Sequence, residues 1–200
     1  MHALIVLTHS DTASLTHAVA ARIGEGVVET GRTFEIADLH SEDFDPRYSA
    51  GDRAAHHRLA SRPADVVAEQ SRIERADALV LVYPVYWWSM PALMKGWIDR
   101  VFSNGWAYDD SGDKVIKKLG HLPIHLVGIG GADLGTYDRH GYSGAMRTQI
   151  DHGIFDYCGA PVCASELLLE SDAADQSKNL ENARSIGRGV FAQLLQKNSG

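Results

Sequence analysis

Cysteine is nearly missing from this chain: among 200 residues only Cys158 and Cys163 occur. Their spacing makes neither a CxxC redox pair nor a zinc pattern, so two reduced, buried thiols in a cytoplasmic protein are expected. Positive charge is also short. Nineteen Lys+Arg against 26 Asp+Glu give a formal net charge of −7, the wrong sign for a chain drawn electrostatically to nucleic acid or an anionic membrane. No apolar run reaches the length of a membrane span, so no membrane insertion is expected. The opening MHALIVLTHS lacks the basic region and cleavage pattern of a signal peptide and reads as a first strand. The ten histidines are scattered, with His56-His57 the only adjacent pair, and nothing resembles HExxH, so no metal site is expected. A GxSxG elbow and a GxxxxGK[ST] loop are both missing, which disfavours an α/β hydrolase and a nucleotide triphosphatase.

What is present is alternation. Strands are expected at Ala3 to Leu7, Thr33 to Ala37, Ala78 to Tyr83, Ile124 to Ile129 and Val162 to Leu169. Between them, helical spacing places Leu15, Ala18, Val19 and Ile23 on a first helix. A second runs from Pro63 or Ala64 to Arg75, a third from Pro91 to Ser103, and a fourth lies between Ser143 and Tyr157. Leu180, Ala183, Ile186, Val190 and Leu194 mark a fifth. Residues 39 to 62 read as a long polar connection, and Asn104 to Leu119 as a turn-rich one. Such interleaving calls for a parallel sheet covered on both faces, one α/β domain over residues 1–200. With five strands and no GxGxxG after the first, the order is the flavodoxin-like 2-1-3-4-5. A phospho-receiver domain shares that topology, but Thr8-His9 stands where its acidic pair is needed.

Three loops then converge at the carboxyl ends of strands one, three and four. Thr8-His9-Ser10-Asp11-Thr12-Ala13-Ser14-Leu15-Thr16 is hydroxyl-rich and enters a helix, which suits a phosphate as well as a simple Ser14 or Thr12 cap. Pro84-Val85-Tyr86-Trp87-Trp88 puts bulky rings in a connecting loop, where they suit a flat ring such as a flavin. The amides of Val85, Tyr86 and Trp87 are expected to face that ring's polar edge. Trp97, one turn from Leu93 and Val101, reads as core. Gly128-Ile129-Gly130-Gly131 permits close backbone approach, as an ordinary turn also would. Tyr137 to Ser143 adds donors and proton-transfer groups.

The stretch ADVVAEQSRIERADALVLVYPVYWWSMPALMKGWIDRVFSNGWAY, with HSDTASLT and the GG-x5-Tyr segment, resembles the NAD(P)H:quinone oxidoreductase family of flavodoxin-like proteins over nearly the whole chain. The resemblance implies FAD or FMN, NAD(P)H as co-substrate, two-electron ping-pong reduction of a quinone, and a homodimer in which the partner covers Trp106 and Tyr108. It assigns His9, Ser14, Leu15 and Thr16 to the flavin phosphate region and Gln70 to the flavin side chain. Val85, Tyr86, Trp87 and Trp88 match the ring loop, Gly130 and Gly131 the pyrimidine edge, and Tyr137 the N1/O2 edge. Where mammalian members carry a histidine six residues after that tyrosine, this chain has Ser143, with His140 near enough to substitute. The long 39–62 connection and Gln70 favour FAD over FMN. The competing readings are a regulatory flavoprotein of a potassium-efflux system, an FMN-dependent azo- or nitroreductase, and a flavodoxin-type electron carrier.

Overall fold

A computed structural model describes residues 1–171 and 176–197. Five parallel strands form one sheet: β1 (His2–Leu7), β2 (Thr33–Asp38), β3 (Ala78–Pro84), β6 (Ile124–Gly130) and β7 (Val162–Leu169), in the order β2-β1-β3-β6-β7. This is the expected flavodoxin-like order. A short antiparallel pair, β4 (Tyr108–Asp109) and β5 (Ile116–Lys117), lies between β3 and β6 in the chain. The helices are α1 (Leu15–Glu29), α2 (Ala50–His56), α3 (Ala64–Glu74), α4 (Ala92–Val101), α5 (Leu134–His140), α6 (Tyr142–Met146), α7 (Ser177–Gly189) and α8 (Ala192–Lys197).

The central strands β3 and β6 are buried along their whole length, as near-continuous apolar runs between two helical layers must be. Their side chains alternate between two cores. Leu4, Val6, Leu79, Leu81 and Leu126 pack with Met94, Trp97 and Phe155 on one face. Ile5, Leu7, Val80, Val82 and Val127 pack with Val19, Ile23, Ala183 and Phe191 on the other. Each such side chain, fully removed from water, contributes about 1.5–3 kcal/mol. On the second face α1 and α7 touch through backbone: a Cβ on Gly26 would fall on the Arg184 carbonyl, and one on Gly187 on the Ile23 carbonyl.

The structure departs from the sequence reading in four places. The 39–62 connection is not irregular throughout: Ser49 caps α2, its Oγ accepting from the Asp52 amide at 3.1 Å while Asp52 accepts from the Ser49 amide at 2.7 Å. Arg100 fastens that connection to α4 by donating to the Asp45 carbonyl at 2.7 Å, to Asp52 at 3.1 Å and to Asp65 at 2.7 Å. The fourth helix, expected between Ser143 and Tyr157, is α6 continued by a ten-residue π-helix, Arg147–Asp156, and the unforeseen α5 precedes it. The last helix breaks into α7 and α8 around Val190, whose carbonyl accepts from buried His125 Nε2 at 2.9 Å. Finally, Cys163 is only partly buried, its thiol 3.1 Å from Gln193 Oε1. Neither cysteine forms a disulfide, and Cys158 is buried, with burial pushing its thiol up to about 11.

Candidate active site

The chain leaves β1 for β2 on one side and later returns to β3 on the other, so a crevice opens at the carboxyl ends of β1 and β3, where open α/β sheets bind ligands. The loop after β1 carries several unused donors. Ser14 caps α1 by accepting from the His17 amide at 3.4 Å, while the amides of Leu15 and Thr16, in the first turn, have no partner among the described residues. Such first-turn amides are the usual orphans of a helix and face anions well. Thr8 and Thr16 are 3% and 2% exposed, yet neither hydroxyl is engaged in a hydrogen bond with another described residue. His9 Nδ1 stands 3.0 Å from the Asp11 amide and 3.2 Å from the Asp11 carbonyl, which pins the ring to the loop and leaves Nε2 without a partner among the described residues. Asp11 turns aside, its carboxylate capturing the Ala13 amide at 2.9 Å.

The loop after β3 is strained. Tyr86 and Ser89 exchange backbone hydrogen bonds of 3.0 and 3.1 Å, closing a two-residue hairpin turn on Trp87 and Trp88, whose φ angles are 51° and 60°. Both central residues are therefore left-handed, a pattern that normally selects Asn-Gly and costs about 1–2 kcal/mol per residue for other side chains. Strain of this kind concentrates at functional sites. The expected donors need correction. The Val85 amide donates to the Ile129 carbonyl at 2.8 Å and the Tyr86 amide to Ser89, so the amides of this loop without a partner among the described residues are those of Trp87 and Trp88. Trp87 is 93% exposed. Trp88 stacks on Tyr142, with ring centroids 3.8 Å apart, and meets Tyr137 edge-on at 5.2 Å. Ser89 steadies the turn by donating to Gln149 of the π-helix at 2.8 Å.

The loop after β6 completes the crevice. Pro84 pairs in register with Ile129, and a Cβ on Gly128 would sit 3.1 Å from Val85, so this glycine lets the two loops close up. A Cβ on Gly130 would lie 2.5 Å from the Tyr137 hydroxyl, whereas one on Gly131 would meet open space. Tyr137 is 1% exposed, burial raises its phenol above the ordinary range, and its hydroxyl makes no hydrogen bond with the described residues. The Gly131 amide is likewise unpaired. An oriented, neutral phenol beside unused amides is suited to donate to an anionic or carbonyl oxygen.

A family profile described as a flavodoxin-like fold matches residues 1–186. NAD(P)H dehydrogenase [quinone] 1 of Cavia porcellus is 30% identical over 82% of this chain and 67% of its own length. The chain belongs to the flavodoxin-like NAD(P)H:quinone oxidoreductase family. Among solved structures, the NAD(P)H:quinone oxidoreductase of Methanothermobacter marburgensis superposes with a TM-score of 0.86 at 28% identity, covering 94% of this chain and 98% of that one. The general stress protein 14 of Treponema denticola, solved with FMN, gives 0.62 at 27% identity, over 97% and 98%.

The oxidoreductase family's positions are not all brought to this crevice. His9, Ser14, Leu15 and Thr16 line one loop, Pro84 to Trp88 the second, and Gly128 to Gly131 with Tyr137 the third. Gln70 is elsewhere: it is 3% exposed on α3, and its amide donates to the Val101 carbonyl at 2.8 Å and to Ser103 at 3.0 Å, at the far end of α4. It braces helices within this chain. Ser143 faces a separate cavity of about 80 Å³ bounded by Tyr83, Arg147 and Glu166. His140 instead stacks on Tyr142 at 5.2 Å, at the outer end of the Trp88–Tyr142–His140 column. Trp106 and Tyr108 are half-buried rather than exposed: Trp106 donates to Glu74 at 2.7 Å and Tyr108 packs edge-on against Tyr157 at 5.2 Å. Sequence reasoning named Tyr142 only as a nearby donor and missed its stacking. It missed His17 entirely, because an isolated helical histidine carries no local signal.

Proposed function

We propose that this protein is a flavin-dependent NAD(P)H:quinone oxidoreductase that passes two electrons in a ping-pong cycle from NAD(P)H to a quinone. The observation that carries the reading is the set of unused donors at one crevice: the amides of Leu15, Thr16, Trp87, Trp88 and Gly131, and the Tyr137 hydroxyl. They fit a flavin, with the phosphate at the first loop, the ring against the strained tryptophan turn, and the pyrimidine edge at Gly130, Gly131 and Tyr137. The names of the relatives agree with quinone reduction. A bound flavin supplies hydride acceptance and donation.

The chain's own part is electrostatic and steric. Tyr137 donates its proton in a hydrogen bond to the edge where negative charge accumulates, and buried Tyr137 loses little reorganisation energy in doing so. Trp88, fixed between Tyr137 and Tyr142, walls the ring space and excludes water. His140, at the open end of the column, is placed to supply a proton to the departing acceptor. The sequence reading prefers FAD, while a solved neighbour holds FMN; chromatography of the flavin released on denaturation decides between them. NADH and NADPH oxidation with and without menadione tests the reaction. A colourless protein that binds no flavin, or a flavoprotein inert toward quinones, overturns the reading, the latter in favour of a regulatory flavoprotein. The chain is proposed to act as a homodimer of single-domain subunits.

A further inference from the structure

Ser14, His17 and Asp38 form a continuous hydrogen-bonded chain that the proposed reaction does not use. Ser14 Oγ lies 2.9 Å from His17 Nδ1, and His17 Nε2 lies 2.9 Å from Asp38 Oδ2. Asp38, at the end of β2, also accepts from Ser41 Oγ at 2.5 Å and from the His40 and Ser41 amides at 3.1 and 3.2 Å. Burial alone would raise that carboxyl, but the hydrogen bonds from Ser41 and His17 outweigh it and hold it below the usual range. The carboxylate is therefore an acceptor only, and His17 Nε2 must carry a proton. The state of Nδ1 then decides what Ser14 can do. In neutral His17, Nδ1 is bare and takes the Ser14 hydroxyl hydrogen, leaving only lone pairs toward the crevice. In the imidazolium, Nδ1–H donates to Ser14 Oγ and the hydroxyl hydrogen is released.

We propose that His17 is a positioning residue for the phosphate of the bound cofactor: when protonated between Asp38 and Ser14, it turns the Ser14 hydroxyl outward as a donor, so that phosphate binding is linked to uptake of at most one proton. This rests on the flavin reading above. Independent signs of a phosphate at the same loop are the unpaired amides of Leu15 and Thr16 and the unpaired hydroxyls of Thr8 and Thr16, both residues buried. Of the other ionisable groups nearby, His9 faces His17 with ring centroids 6.4 Å apart, the Asp11 carboxylate of the same loop is engaged by the Ala13 amide, and His40 adjoins Asp38 through its backbone amide. No bond is made or broken beyond the proton taken from solvent.

The test is calorimetric titration of the flavin-stripped full chain with FMN and with riboflavin between about pH 5 and 8, where imidazoles change charge. Two buffers of different ionisation enthalpy read the proton uptake. FMN affinity is expected to fall by up to about tenfold per pH unit on the alkaline side, while riboflavin, lacking the phosphate, shows no such slope. His17→Asn keeps an N–H donor in place of Nδ1 and is expected to hold FMN with a flattened slope. His17→Ala is expected to bind FMN roughly tenfold more weakly, also with a flattened slope, and with an unchanged circular dichroism spectrum. FMN's own phosphate titrates identically in all three proteins and cancels in their ratios. An equal slope in wild type and both variants, an equal slope for riboflavin, or no proton uptake overturns the role of His17 while leaving the flavin site standing. Failure of the wild type to bind either flavin overturns both.

Discussion

At the scale of single residues, the site is defined by polar groups that the fold leaves without partners. Tyr137 is the clearest, a buried phenol held edge-on to Trp88 with an unused hydroxyl. Replacing it by Phe removes one donor and almost no volume. Tyr137→Phe is expected to slow reduction of the flavin by NAD(P)H by about 10²-fold, the usual range for one charge-stabilising donor, with flavin still bound. Stopped-flow absorbance checks this, and an unchanged rate removes Tyr137 from the chemistry. Residue identity was legible here because GG-x5-Tyr is a spaced pattern. Residue commitment was not: Gln70, Val85 and Tyr86 looked available in the sequence, but Gln70 holds α4 and the two amides are used by neighbouring backbone.

At the scale of elements, two features trade local stability for position. The Tyr86–Ser89 turn puts two tryptophans in the left-handed region. Since Trp87 is almost wholly exposed, Trp87→Asn loses little packing and relieves strain. It is expected to raise unfolding stability by about 1 kcal/mol and to weaken flavin binding, read by chemical denaturation and fluorescence titration. The second feature is His125 on β6, buried and donating to the Val190 carbonyl at the α7–α8 break. Burial lowers its pKa from the ordinary 6.5, the hydrogen bond to Val190 opposing this only in part. The unfolded chain therefore binds a proton that the folded chain resists, so stability falls as pH drops through about 6.5 toward the folded-state value. His125→Gln is expected to remove that component, measured as a flatter dependence of unfolding free energy on pH between neutral and mildly acid solution. Neither the break nor the π-helix was readable from periodicity. Leu180 to Leu194 keeps helical spacing across the break, where the Val190 carbonyl accepts from a histidine 65 residues away. The capping box of α2 was written in Ser49 and Asp52, but it lay inside a stretch too polar to suggest a helix.

At the scale of the whole molecule, strand order and crevice were legible because buried parallel strands write themselves as apolar runs, and β3 and β6 are two such runs. Exposure was less so: Trp106 and Tyr108 proved half-covered by the chain itself, while Tyr86 and Trp87 stand outside at 52% and 93%. Aromatics left in water at the mouth of a binding crevice favour coverage by a second copy. Sedimentation is expected to give a dimer, with Trp87 fluorescence shifting to the blue relative to a dilute monomer; a monomer at all concentrations contradicts the assembly.

The contact between Gly26 and Gly187 reaches further than its two residues. With no side chain interposed, the helix that presents the anion loop is seated directly on the helix near the chain's other end, at a spacing no other residue type permits. The proposed phosphate loop and α7 thus share one mechanical footing, and drift at that remote seam is expected to be felt first as a loosened grip on the proposed cofactor rather than as a change in the chemistry.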